Sequence, residues 1–130
     1  LEAVPRVYPA LMRSQKVSGR AAKAGMDHET AEAAWKDLES EVSELREAVT
    51  EKDSDHVEEE LGDLLFSAVN VARLLGVDSE YALTRSCDKF IRRFAETERL
   101  AMAEGIDLKT ADTDTKDRLW KEAKEIVHSR

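Results

Sequence analysis

Apolar residues recur at intervals of three and four along most of this chain, which is the spacing of amphipathic helices. Five stretches carry the pattern, and glycines or short polar segments separate them. No stretch shows the two-residue alternation of a half-buried strand. The pattern therefore predicts an all-α fold, a helical bundle of four to five helices.

Helix start and stop signals set the predicted boundaries. Pro9 and Gly25 place the first helix over about residues 8–24. The turn between the second and third helices is predicted at residues 51–54, so these two helices should pack antiparallel. The residues predicted to cap or end the other helices are Asp27, Asp55, Gly76, Asp78, Gly105 and Asp114.

The apolar stripes are wide for a chain of 130 residues, and small helical domains often complete their cores by dimerisation. We therefore expect the bundle to be completed by dimerisation. The fourth helix carries an apolar stripe, in which Cys87 is predicted to be a small core residue. Its members are Leu83, Cys87, Phe90, Ile91 and Phe94.

Composition narrows the classes of protein that fit. The length suits a single domain over residues 1–130, and 42% hydrophobic residues in regular spacing argue against disorder. The net charge of −8 disfavours binding to nucleic acid. A single cysteine suits a reducing compartment such as the cytoplasm, and no apolar stretch is long enough for a bilayer.

Two pairs of carboxylates stand three residues apart on neighbouring predicted helices. Glu41 and Glu44 lie on the second helix, and Glu60 and Asp63 lie on the third, at the edges of the apolar stripes. An antiparallel packing would bring the pairs together, where their charges would repel unless cations lay between them. Carboxylate oxygens suit Mg²⁺ and Mn²⁺. The alternative is a solvated acidic face, and the spacing alone leaves both open.

A basic and aromatic group follows on the last two predicted helices. Lys89 and Arg93 are four residues apart, as are Trp120 and Lys124. Such donors could bind a phosphate chain, and a tryptophan could stack on a nucleobase. Surface cations and a core tryptophan are the alternative that the spacing leaves open.

Four segments in order resemble the MazG family of nucleoside triphosphate pyrophosphohydrolases. Residues 58–66, EEELGDLLF, resemble its signature, and 9–16, PALMRSQK, its opening. Residues 89–94, KFIRRF, and 120–124, WKEAK, resemble its basic fourth-helix segment and its closing helix. The chain looks most like the C-terminal catalytic domain of a two-domain MazG protein. Because it begins at Leu1 rather than at Met, we expect it to be part of a longer protein.

The resemblance implies Mg²⁺-dependent hydrolysis of nucleoside triphosphates to a monophosphate and pyrophosphate by a cytoplasmic homodimer or higher homo-oligomer. It implies broad or non-standard nucleotide specificity, with a role in cleansing the nucleotide pool, and Mn²⁺ as the alternative metal. The implied metal ligands, which are also the implied catalytic residues, are Glu41, Glu44, Glu60 and Asp63. The implied substrate contacts are Lys89, Arg93, Trp120 and Lys124.

One position departs from the family pattern. Ser40 stands where the first glutamate of the E-E-x-x-E segment is expected, which leaves any supporting role of that glutamate unfilled. A related all-α pyrophosphatase with one substrate, such as dUTP or phosphoribosyl-ATP, is an alternative. A non-catalytic helical regulatory or interaction module is another. The charge of −8 argues against the third alternative, a nucleic-acid-binding bundle.

Overall fold

The computed structural model of the protein describes residues 1–129. Within this range the chain forms five α-helices and no strand, which confirms the all-α prediction. None of these helices combines the length and the apolar character needed to cross a membrane. The helices are α1 (Ala10–Lys23), α2 (Ala31–Glu51), α3 (Ser54–Leu74), α4 (Ser79–Ala103) and α5 (Thr113–His128).

The predicted helix ends are confirmed. Gly25, Gly76 and Gly105 follow α1, α3 and α4 with φ of 102°, 72° and 69°. This left-handed backbone suits glycine just past a helix, because a β-carbon would be strained there. Asp78 caps α4, since its Oδ1 accepts a hydrogen bond of 3.0 Å from the backbone N–H of Tyr81.

The predicted cap of α2 was wrong. Thr30 is the N-cap, and its Oγ1 accepts a hydrogen bond of 3.1 Å from the backbone N–H of Ala33. Asp27 lies too far before the helix to reach the free N–H groups of the first turn. Its carboxylate instead accepts two hydrogen bonds from Arg73 of α3, at 2.6 and 3.2 Å.

Two other predicted caps were each two residues too late. Asp53 caps α3 by accepting from the backbone N–H groups of Asp55 and His56. Asp112 caps α5 by accepting from the backbone N–H of Thr115 at 2.8 Å. Asp55 and Asp114 lie inside the first turn, where an acidic side chain interacts favourably with the helix dipole but does not cap.

The described chain separates into two compact units, and the first is Leu1–Ala82. In it α3 packs against both α1 and α2. Lys52, the residue after α2, adopts a left-handed conformation, and Asp53 begins the cap of α3. Because only these two residues join α2 to α3, the helices are antiparallel. The buried residues Ala34 and Ala48 of α2 are small enough for close packing.

The second unit begins at Leu83 and contains most of α4 and all of α5. Its buried residues include Ala101, Leu119 and Ala123. Arg118 of α5 donates two hydrogen bonds to Glu104 near the end of α4, at 2.9 and 3.2 Å. This ion pair and the buried residues fix how the two helices of this unit meet.

The prediction that Cys87 is a core residue was wrong for the single chain. Cys87 is exposed, and so are the other four apolar side chains of the stripe. Ile91, for example, keeps 63% of its accessible surface. The periodic pattern identified the apolar face correctly, but this face is open to solvent. We refer to Leu83, Cys87, Phe90, Ile91 and Phe94 as the α4 stripe.

Candidate functional site

The α2–α3 pair brings the predicted carboxylates together. One oxygen from each of Glu41, Glu60 and Asp63 lies within 4.8 Å of the others. Glu41 comes from α2, and the other two come from α3, so the antiparallel turn at Lys52 is what joins them. Three of the four predicted ligands thus form one group, which we call the carboxylate group.

Glu44, the fourth predicted ligand, lies at the edge of this group. It is exposed on α2, one turn beyond Glu41, and is not among the three whose oxygens converge. Its carboxylate nevertheless lies close enough to Glu41 to affect the ionisation of that residue.

Burial and like charge both act on the carboxylate group. Burial raises the pKa of Glu41 from 4.5 to about 7, and the neighbouring Glu44 carboxylate is the next cause. The Oε2 atoms of Glu41 and Glu60 are buried and accept no hydrogen bond from any described residue. Buried carboxylate oxygens without a donor are costly, and a bound cation would offset that cost.

A hard divalent cation fits these residues. Mg²⁺ and Mn²⁺ prefer carboxylate oxygens, and helix pairs commonly direct such groups inward to hold metals. The two unpartnered Oε2 atoms are free to act as ligands. Asp63 is exposed, so the group has a side that is open to solvent and to a substrate.

His56 contacts this group and was not among the residues predicted from the sequence. Its Nε2 lies 3.2 Å from Glu60 Oε1, and its Nδ1 lies 3.0 Å from Glu51 Oε2. The hydrogen bond to Glu51, and secondarily that to Glu60, raise the pKa of the imidazole. The signal that could have identified it is the spacing of four residues between His56 and Glu60 on one helix.

The predicted phosphate contacts on α4 line a cavity of about 740 Å³ in the second unit. Lys89 and Arg93 contribute to its wall, and the Nε atom of Arg93 is buried without a hydrogen-bond partner among the described residues. Arg99, also in the wall, donates to Glu96. Arg92, from the same basic segment, also lines the wall, and the titratable members that the sequence reasoning missed are Glu96, Arg99 and His128.

Trp120 and Lys124 of α5 do not belong to the described wall of that cavity. The ring of Trp120 packs against Phe90 with centroids 5.3 Å apart at an angle of 44°, and Phe90 in turn stacks on Phe94. Both Trp120 and Lys124 are half-buried. Trp120 is therefore held by aromatic packing while part of its ring remains accessible.

In this all-α fold, two antiparallel helices bring glutamate and aspartate side chains together. This arrangement is typical of metal-dependent helical proteins. Residues 29–96, just over half of the chain, match the family described as the MazG nucleotide pyrophosphohydrolase domain. The chain belongs to the MazG family. The matched range contains all four predicted ligands and both α4 cations, and ends before Trp120 and Lys124.

Two relatives extend the similarity beyond that range. The nucleoside triphosphate pyrophosphohydrolase of Escherichia coli (strain K12) is 40% identical over 128 residues, which covers 95% of this chain and 48% of the relative. The nucleoside triphosphate pyrophosphohydrolase/pyrophosphatase MazG of Thermotoga maritima is 39% identical over 118 residues, or 91% of this chain and 45% of the relative. The chain spans about half the length of these relatives.

Proposed function

We propose that this chain hydrolyses nucleoside triphosphates to a nucleoside monophosphate and pyrophosphate, and that the reaction depends on Mg²⁺. The carboxylate group carries the proposal, because Glu41 and Glu60 each hold a buried oxygen without a partner beside the Asp63 carboxylate. The names of the two relatives support the reaction type. We take residues 1–130 to form one MazG-like domain.

Four carboxylates would hold the cation, with Mn²⁺ as an alternative to Mg²⁺. Glu41 and Glu60 are partly buried and would fix its position, whereas Glu44 and Asp63 are exposed on the side that a substrate would approach. When bound, a divalent cation supplies Lewis acidity and screens phosphate charge. Carboxylate oxygens that remain unengaged can accept the proton that the attacking water loses when the anhydride bond between the first and second phosphates breaks.

The α4 cavity would bind the phosphate chain. A chain with a net charge of −8 repels a polyphosphate at long range, so binding requires a local concentration of cations. Lys89 and Arg93 provide it, and the unpartnered Nε of Arg93 is a free donor for a phosphate oxygen. Lys124 would add a further cation, and together these residues would stabilise the charge on the leaving pyrophosphate.

Trp120 would contact the base or the ribose. Part of the Trp120 ring is accessible, and Phe90 packs against the ring. An aromatic face can stack on many different bases. We therefore propose broad or non-standard nucleotide specificity and a role in cleansing the nucleotide pool. The cytoplasm is the proposed location, and the exposed free thiol of Cys87 suits such a reducing compartment.

We further propose that the working form is a homodimer or higher homo-oligomer. The α4 stripe leaves Leu83, Phe90, Ile91 and Phe94 exposed on one helix face. Contiguous apolar surface of this kind commonly marks an interface. A two-fold symmetric contact buries the same face on both subunits and so completes both cores.

The test is a panel of ribo- and deoxyribonucleoside triphosphates incubated with the chain in Mg²⁺ and in EDTA, with the products identified. We expect monophosphate and pyrophosphate only with Mg²⁺. Glu60→Gln should lower turnover by at least ~100-fold with the helices intact, because one ligand charge is lost. Glu58→Gln, the same change at an exposed residue of α3, is the matched control and should retain turnover.

Each other result has a defined meaning. Orthophosphate and a diphosphate as products would contradict the proposed bond cleavage. One strongly preferred nucleotide would favour a single-substrate pyrophosphatase over broad specificity. Binding of Mg²⁺ without any product would favour a regulatory or interaction module. Wild-type turnover in Glu60→Gln would show that the ligand assignment is wrong.

A further inference from the structure

His56 bridges the end of α2 and the carboxylate group on α3. Its Nδ1 lies 3.0 Å from Oε2 of Glu51, the last residue of α2, and its Nε2 lies 3.2 Å from Oε1 of Glu60. We propose that His56 is a positioning residue for the metal site, which fixes one oxygen of Glu60 so that the other faces the cation. The inference rests on the proposed function, since it requires Glu60 to be a ligand.

The two oxygens of Glu60 have different surroundings. Oε1 is engaged by His56, whereas Oε2 is buried and accepts no hydrogen bond from a described residue. The side chain as a whole is 12% exposed, so water has little access to it. With Oε1 held, rotation of the carboxylate is restricted, and Oε2 is left as the oxygen available to a cation.

Two carboxylates hold the imidazole ring, and a third holds the backbone of His56. Asp53 accepts from the backbone N–H of His56 at 3.3 Å and so fixes the start of α3. Glu51 holds Nδ1 from the other helix, and Glu60 lies one turn further along α3. Because residues of both α2 and α3 position the ring, its orientation depends on how these two helices are aligned. Outer residues that orient a ligand in this way typically contribute 10- to 100-fold to metal affinity.

If only charge mattered, removing His56 would have the opposite effect on metal affinity. In its doubly protonated form the ring would donate to both carboxylates and carry a positive charge. A cationic ring beside a divalent cation repels it. On electrostatics alone, loss of His56 should strengthen metal binding, whereas loss of a positioning residue should weaken it. The sign of the change therefore separates the two effects.

The test is Mn²⁺ binding to the full chain, measured by electron paramagnetic resonance and by calorimetry. We expect His56→Ala to weaken Mn²⁺ binding by about 10-fold. His56→Gln should recover part of the loss, since its amide can still donate to Glu60, and Glu51→Gln should produce a smaller weakening. The matched controls are His28→Ala, which removes another histidine paired with a carboxylate, and Glu58→Gln. Both should bind Mn²⁺ as the wild type does.

Unchanged or tighter Mn²⁺ binding in His56→Ala would overturn the inference. Circular dichroism and thermal unfolding of the metal-free proteins check that the helices are intact. If His56→Ala does not fold, the Mn²⁺ affinity of Glu51→Gln is the test. Wild-type affinity in that variant would overturn the inference. Absence of Mn²⁺ binding in the wild type, or wild-type affinity in Glu60→Gln, would instead refute the proposed metal site itself.

Discussion

Glu41 on α2 and Glu60 on α3 place carboxylate oxygens within 4.8 Å of each other, and each also holds a buried oxygen that has no hydrogen-bond partner among residues 1–129. Two like charges this close destabilise the fold unless a cation neutralises them. The first prediction follows from this relationship. Glu41→Gln should raise the free energy of unfolding in EDTA near neutral pH and reduce the additional stabilisation that Mg²⁺ gives the wild type.

Urea denaturation in EDTA and in saturating Mg²⁺ measures both quantities. Glu39→Gln, an equal change of charge at an exposed residue of α2, is the control. Equal stabilisation by Mg²⁺ in the wild type and in Glu41→Gln would show that Glu41 is not a ligand.

Arg93 provides a prediction about substrate binding. Its Nε is buried and has no hydrogen-bond partner within the described part of the chain, and its side chain lines the cavity. Arg93→Gln should lower kcat/KM for a nucleoside triphosphate by about 10- to 100-fold. This is the effect expected when one hydrogen bond to a charged group is lost. Steady-state kinetics measure the change, and Lys121→Gln on the exposed side of α5 is the control. If the two variants behave alike, Arg93 does not contact phosphate.

The α4 stripe provides a prediction about assembly. Ile91→Arg places a charge in the middle of the exposed apolar face and should shift the protein to monomer, because burying an unpaired charge is costly. Light scattering coupled to size exclusion measures the mass. Met102→Arg, on the same helix and 84% exposed but outside the stripe, should leave the mass unchanged. A monomeric wild type would refute the proposed oligomer, and an oligomeric Ile91→Arg would place its interface elsewhere.

The ion pair between Asp27 and Arg73 provides a prediction about pH. The hydrogen bond from Arg73 holds the pKa of Asp27 below its usual 3.8. The folded state therefore binds this proton less tightly than the unfolded state, so the stabilisation is complete above the usual pKa and is lost as the pH falls through the lowered one. Asp27→Asn should be less stable than the wild type at neutral pH, and the difference should narrow in acid. A difference that stays constant from neutral pH into acid would contradict this assignment.

The cap of α5 provides a prediction about helix stability. Asp112→Ala should lower the free energy of unfolding by about 1 kcal/mol, because it removes the acceptor for the backbone N–H of Thr115. Asp114→Ala should change it by less than about 0.5 kcal/mol, since this residue only adds charge to the first turn. Chemical denaturation of both variants compares them directly. Equal losses would mean that the two aspartates share the capping role.

The sequence by itself determined which segments are helical and where most of them end. Helix formation depends on local periodicity, and Gly25, Gly76 and Gly105 supply left-handed backbone where α1, α3 and α4 stop. The helix starts were harder to predict, because polar residues that could cap stood close together. Asp112 and Asp114 both satisfy the local pattern, and only the backbone geometry distinguishes them.

Tertiary structure decided what the helices bring together. Spacing predicted that Glu41 and Glu60 would converge, but packing decided that Asp63 completes the group while Glu44 stays at its edge. The contact of His56 with Glu51 required the observed turn between α2 and α3. Tertiary structure also left the α4 stripe exposed, because periodicity records which face is apolar but does not record what covers it.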